Sequence, residues 1–187
     1  MKKAVLFAIL VLFAAPMAVA ATSDSCKEIN EHLAANNPVK AMKAIDWCRQ
    51  DVMKEYAEGA KSLVKKQLGG RDCAEPVINS GMGIFNLEVN CTASGKEPVT
   101  FSITGGAGGA AQAGIGGFAA SMGKLGAMMG NQNSERVGDL TGSREDNKLT
   151  VFGNGGQIYA FEAPDGELSS IAKEAGLDGF ERYFMGM

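Results

Sequence analysis

The 187-residue chain has a single histidine, His32, and its four cysteines include no C-x-x-C pair. One imidazole cannot build a multi-histidine metal cage, a Ser/His/Asp triad would have only His32 to draw on, and zinc or dithiol redox sites need closely spaced thiols. An excess of basic charge is also missing: 18 Lys and Arg stand against 21 Asp and Glu, for a formal net charge of −3. Such a chain has no general attraction for phosphate backbones or anionic lipid, which sets aside nucleic acid as a partner and a polybasic membrane dock. Phosphate-binding loops are absent too. Gly114-x-Gly116-x-x-Ala119 does not directly follow a strand pattern, and Gly123-Lys124 has Phe118 and Leu125 where a P-loop needs glycine and a hydroxyl residue. No cofactor and no metal site are expected, and His32 reads as a solvated or satisfied histidine beside Leu33 on a helix.

What is present begins with an export signal. Lys2 and Lys3 precede an apolar run from Ala4 to Ala15, followed by Pro16 and the small-residue sequence Ala18-Val19-Ala20. This is the basic, apolar, A-x-A order that a signal peptidase reads, and the run is shorter than the roughly 20 residues that span a bilayer. Cleavage is expected after Ala20, with the periplasm or the medium as destination; the lack of a cysteine at the cut argues against a lipoprotein. The two lysines of the leader would leave with it, taking the charge to −5.

All four cysteines, Cys26, Cys48, Cys73 and Cys91, lie beyond the leader, and an even count in an oxidising compartment reads as two disulfides. Local pattern suggests the pairing. Ser25-Cys26-Lys27-Glu28 has the form of a capping box, with Ile29 and Leu33 continuing the face of Cys26. Asn36-Asn37-Pro38 supplies a stop, a new N-cap and a proline at the first helical position. A longer helix follows, in which Met42, Ile45, Cys48, Val52, Tyr56 and Leu63 recur at helical spacing, Lys61, Lys65 and Lys66 suit its negative end, and Gly69-Gly70 ends it. Gly59 is a place where it would bend. Cys26 and Cys48 are equidistant from the Asn37 turn, and Cys73 and Cys91 from the turn-rich stretch Asn79-Ser80-Gly81-Met82-Gly83, so the expected bridges are Cys26 to Cys48 and Cys73 to Cys91. Trp47, beside Cys48, is expected in the core. With every thiol bridged, no cysteine nucleophile remains.

Alternation of Phe85, Leu87, Val89 and Cys91 with polar residues, repeated by Val99, Phe101 and Ile103, predicts two antiparallel strands with one buried face. Leu149 to Phe152 and Gln157 to Phe161 flank Asn154-Gly155-Gly156 as a hairpin. After the turn Ala163 to Gly166, a short helix spans Leu168 to Ala175, stopped by Gly176, with a last turn near Phe180 to Phe184. The resulting fold class is α+β: an N-terminal disulfide-stapled helical hairpin packed on an antiparallel sheet, with a glycine-rich insertion between strands. The domain runs over residues 21–187: hairpin 21–70, strands 71–104, glycine-rich then polar insertion 105–148, and a closing hairpin and helix 149–187.

The glycine-rich stretch, residues 105–130, holds ten glycines and a single charge, Lys124. As an isolated helix it would be opposed by about 10 kcal/mol relative to alanine, which favours a loop or docked coil. The competing reading is a close-packing helix, because Gly105, Gly109, Ala113, Gly117 and Ser121 place a small residue at every fourth position. Phe118, Met128 and Met129 give either form an apolar side suited to a contact. The remaining chemistry is weak. Glu88, Asp139, Glu145, Asp146, Glu162 and Asp165 are candidate carboxylates with no spacing that singles out a pair. The methionines, Met185 and Met187 among them, read as packing or tail rather than Cu(I) ligands, and Asn90-Cys91-Thr92 is an idle glycosylation pattern. The function this supports is an exported, non-catalytic binding protein of the cell envelope or secreted fraction with an unidentified protein or envelope partner. A membrane-active or self-assembling protein acting through 105–130 comes second, and a carboxylate-dependent hydrolase third.

Overall fold

The computed structural model describes residues 24–81, 84–105 and 133–187. The leader lies outside the described residues, as does the glycine-rich stretch apart from Gly105. The chain opens with α1 (Asp24–Ala34) and α2 (Pro38–Lys61). The turn between them follows local chemistry: Asn36 takes a left-handed φ of 52°, and the Asn37 Oδ1 accepts the Lys40 N–H at 3.2 Å with Pro38 behind it in the first turn. The Cys26–Cys48 bridge ties the two helices together.

Several helix expectations are corrected. Ser25 lies within α1, not at its cap, and its hydroxyl donates to Asp51 Oδ2 at 2.7 Å, a second link between the helices. α2 stops at Lys61 and does not reach Gly69-Gly70. Those glycines, with φ of +58° and +65°, instead form the tight turn between β1 (Gln67–Leu68) and β2 (Arg71–Cys73), a conformation that residues with a Cβ rarely adopt. α2 runs through Gly59 without a break.

Among the described residues the sheet has nine strands, all paired antiparallel: β3 (Val77–Gly81), β4 (Ile84–Thr92), β5 (Val99–Gly105), β6 (Ser134–Val137), β7 (Leu140–Glu145), β8 (Lys148–Phe152) and β9 (Ile158–Glu162) complete it. Its order is β1-β2-β4-β5-β9-β8-β7-β6, and β3 pairs with the first part of β4. β2 and β3 thus share one edge of β4, separated at Pro76, which has no N–H to give a ladder. Cys73 and Cys91 face each other in the β2–β4 register and are bridged. Residues 134–145, read from sequence as the polar part of the insertion, form β6 and β7.

One sheet face is apolar, with Phe85, Leu87, Val89, Phe101, Ile103, Val151 and Phe161 all buried. Over it lie α3 (Leu168–Ala175), α4 (Leu177–Met185) and the second half of α2. Gly176, at φ +74°, ends α3 and starts α4, so the predicted last turn is a full helix. Arg71, only 1% exposed, locks one end of this layer. Its guanidinium donates to the Glu97 carbonyl at 2.6 Å, the Gly69 carbonyl at 3.0 Å and Glu167 Oε2 at 2.7 Å, joining the β1–β2 turn to the start of α3.

Candidate interaction surface

α2 has two differently occupied halves. The first of its residues in the main core is Met53; Ala41 and Ala44 are buried but belong to no part of that core. The stretch from Pro38 to Val52, about 21 Å of helix, therefore packs through an alanine seam against α1, none of whose residues is buried. So thin a contact gives little hydrophobic stabilisation, which explains why a disulfide and the Ser25–Asp51 hydrogen bond hold the pair.

The apolar periodicity of the first part of α2 marks a face that is exposed. Met42 is 62% exposed, Ile45 42% and Val52 46%. Trp47, expected in the core, is 54% exposed, and Leu33 on α1 is 57% exposed. Small alanines, which carry little weight in a hydrophobic pattern, fill the buried positions instead. Leaving a large apolar side chain about half in water forgoes roughly 1 kcal/mol of burial. Several such residues on one hairpin form the kind of apolar surface associated with contacts.

Met42, Ile45, Arg49, Val52, Tyr56 and Gly59 follow one another at steps of three and four, the a/d stripe of a heptad. Its lower end is occupied. Tyr56 stacks on Tyr183 with ring centroids 5.4 Å apart and lies 5.2 Å from Phe184, both on α4. The Tyr183 hydroxyl donates to the Tyr56 carbonyl at 2.9 Å, and the Tyr56 hydroxyl donates to the Phe184 carbonyl at 3.2 Å. Burial, reinforced by Tyr183, pushes the Tyr56 phenol up to about 12, with a hydrogen bond from Gln157 opposing. The upper end, Met42 to Val52, is exposed among the described residues. Met185 and Met187, 41% and 75% exposed, follow Phe184 at the end of the chain described.

No known protein-family model matches the chain, and no curated protein or solved structure matches it. The reading of the surface rests on its own geometry.

The other candidate sites are placed as follows. The four cysteines form the two expected bridges. Gly105 ends β5, where a Cβ would stand 3.1 Å from both Phe85 and Gln157, so its smallness serves packing within the sheet layer. Gly109, Ala113, Gly117, Phe118, Ser121, Met128 and Met129 lie outside the described residues. Among the described residues no helix is long and apolar enough to cross a membrane.

The carboxylates do not gather into one site. Glu88 accepts from Asn90 at 3.2 Å, and Glu162 pairs with Lys148 at 3.6 Å. Asp139 lines a separate depression with Asp178, Glu181 and Arg182. Asp165 and Asp146 share a cleft of about 700 Å³ with Glu135, but Arg144 stands between Glu135, at 3.2 Å, and Asp165, at 2.6 Å. The Arg144 guanidinium also donates to the Asp165 carbonyl. These two carboxylates hold a cation that ties β6, β7 and the turn before α3, rather than flanking a bond to be cleaved. His32 sits in the last turn of α1.

Sequence reasoning missed the buried polar groups. Glu181, 5% exposed, accepts the Asn154 N–H and the Tyr159 hydroxyl, each at 2.7 Å. Burial, followed by the bond to Glu181, pushes the Tyr159 phenol well above its ordinary range. Gln157, 1% exposed, keeps its Oε1 without a hydrogen-bond partner among the described residues. In Glu181-Arg182-Tyr183-Phe184 the only sequence signal is a charged residue between two positions of an apolar helix face, Phe180 and Phe184.

Proposed function

We propose that the protein is exported, cut after Ala20, and works in the periplasm or outside the cell as a non-catalytic binding protein that contacts another protein chain through the upper part of its helical hairpin. The observation that carries this reading is the open half of the α2 stripe: Met42, Ile45 and Val52 stand in solvent on a rigid helix whose same stripe, one turn lower, is filled by Tyr183 and Phe184. A helical stripe of this kind is the shape that receives another helix. Two disulfides suit an oxidising compartment, and Cys26–Cys48 ties together the hairpin that presents the stripe.

The test is made in the producing cell with the full chain. A photo-reactive residue at position 42, compared with one at position 88 on the sheet, is expected to give an adduct to a protein chain from 42 alone, in the exported fraction, with a mature N-terminus at residue 21. No adduct from 42, retention in the cytoplasm with free thiols, or robust turnover in an unbiased hydrolase screen would overturn the reading.

A further inference from the structure

We infer that the chain received by the open α2 stripe is a second copy of this protein, paired antiparallel about a two-fold axis near residue 47; this rests on the reading of the stripe as a protein contact. Among the described residues, four positions of the stripe are exposed: Met42, Ile45, Arg49 and Val52. Three are apolar and one is charged, and the charged one selects the partner. In a parallel, in-register pair each position meets its own copy, so Arg49 would face Arg49, two like charges brought together at the seam. In an antiparallel pair a positions lie beside d positions. With the axis near 47, Met42 of one copy packs on Val52 of the other, and Ile45 packs on the stem of Arg49. Two-fold symmetry then repeats both layers, so the four positions complete one another without remainder.

The same register supplies the arginine with a counter-charge. Asp46 is adjacent to Ile45 on α2, so the Asp46 carboxylate of each copy comes beside the Arg49 guanidinium of the other, twice per dimer. Arginine at such a site keeps its alkyl stem against apolar neighbours and its head toward the carboxylate. A partner helix without an acid at that place would leave the guanidinium partly desolvated and unpaired, which costs binding.

Antiparallel pairing sets residue 56 of one copy, where Tyr183 and Phe184 fill the stripe, level with Pro38 at the hairpin tip of the other, so the contact ends where α4 begins. A seam of four layers is small among protein interfaces, so the dimer is reversible and concentration-dependent.

Sedimentation equilibrium of the mature, oxidised chain tests this. A monomer–dimer equilibrium is expected. Ile45→Glu should make it monomeric with an unchanged circular-dichroism spectrum, since Ile45 touches no part of the main core. Asp46→Arg and Arg49→Asp should each weaken the dimer tenfold or more, and the two together should restore it, because the swapped charges again meet across the axis. A chain that stays monomeric to roughly 1 mM, or a dimer unmoved by these substitutions, would overturn the inference. A monomer that still gives a photo-adduct from position 42 to a different protein would remove the self-pairing and leave the binding function standing.

Discussion

The phenol of Tyr183 fills the space where a side chain at Gly59 would stand: a Cβ built on Gly59 would lie 1.9 Å from the Tyr183 hydroxyl oxygen and 2.8 Å from its ring carbon. The glycine in the last turn of α2 is thus a slot for an aromatic ring of α4. Gly59→Ala gains about 1 kcal/mol of helix propensity but overpacks the slot by about 2–3 kcal/mol, for an expected net loss of about 1–2 kcal/mol in urea unfolding. Tyr183→Phe alone should cost about 1 kcal/mol through the lost hydrogen bond to Tyr56. In the Tyr183→Phe background Gly59→Ala should cost less than in the parent, because the closest atom is gone. Additive losses would show that the two residues are not coupled in this way.

All three tyrosines of the chain belong to the polar and aromatic groups around α4, and all three phenols are pushed above their ordinary range, each by burial first. The sign follows directly. Below about pH 10 the phenols are neutral in both states and their contribution is fully present. Above it the unfolded chain ionises while the folded one does not, so stability is lost as pH rises from about 10 to about 12, where Tyr56 ionises. Absorbance at 295 nm should show little phenolate in the folded protein at pH 10.5, and its appearance should coincide with loss of near-UV circular dichroism. Phenolate that forms in a folded protein at its ordinary pH would contradict the packing described.

Arg71 gives a test at the other end of the core. It is buried, and its partners are two backbone carbonyls and Glu167, whose side chain is partly exposed. Arg71→Ala leaves the Gly69 and Glu97 carbonyls without their donor and should cost about 3 kcal/mol, read as a lower urea midpoint with an unchanged slope. Glu167→Gln should cost less, because that carboxylate reaches water. The Arg71 hydrogen bond, and then its charge, hold the Glu167 carboxyl below the usual range, so its contribution is present above that range and is lost as pH falls through the lowered value. The acid-side slope of stability should therefore flatten in Glu167→Gln; an unchanged slope would mean the pair does not stabilise the fold.

How much of this the sequence discloses depends on the range of the interaction. The hairpin turn at Asn36-Asn37-Pro38, strand β4, the Asn154-Gly155-Gly156 hairpin and the Gly176 stop are written in neighbouring residues, and they stand as read. Both disulfides were legible because each pair is centred on a turn. Gly69-Gly70 was ambiguous in kind: two glycines end a helix or turn a hairpin equally well, and the pairing of Gln67 with Asp72 decides it. β6 and β7 were hidden because Ser134–Val137 and Leu140–Glu145 face a sheet edge with few large apolar residues. The candidate surface was visible as periodicity in Met42, Ile45 and Val52, but a spacing reveals a face and not what covers it. Only the three-dimensional placement of α4 shows that the stripe is filled below Val52 and open above.

The two disulfides should behave differently when removed, although they close loops of similar length, 22 and 18 residues apart in sequence. Chain entropy assigns each about 3 kcal/mol. Cys73 and Cys91 join adjacent strands, and Cys91 lies in the main core, so Cys73→Ala with Cys91→Ala should lower global stability by about that amount. Cys26–Cys48 instead ties down α1, a helix with no buried residue, against the alanine seam of Ala41 and Ala44. Without the bridge, the Ser25–Asp51 hydrogen bond and that seam offer too little to offset the entropy of ordering eleven residues. In Cys26→Ala with Cys48→Ala, the amides of Asp24–Ala34 should exchange at nearly unprotected rates, while β4, β5 and β9 keep their protection and the global midpoint moves little. Equal loss of protection across sheet and hairpin in both variants would mean that α1 folds with the core. A difference confined to α1 would mean that the bridge exists to hold the hairpin in shape, which is what a surface presented for contact requires.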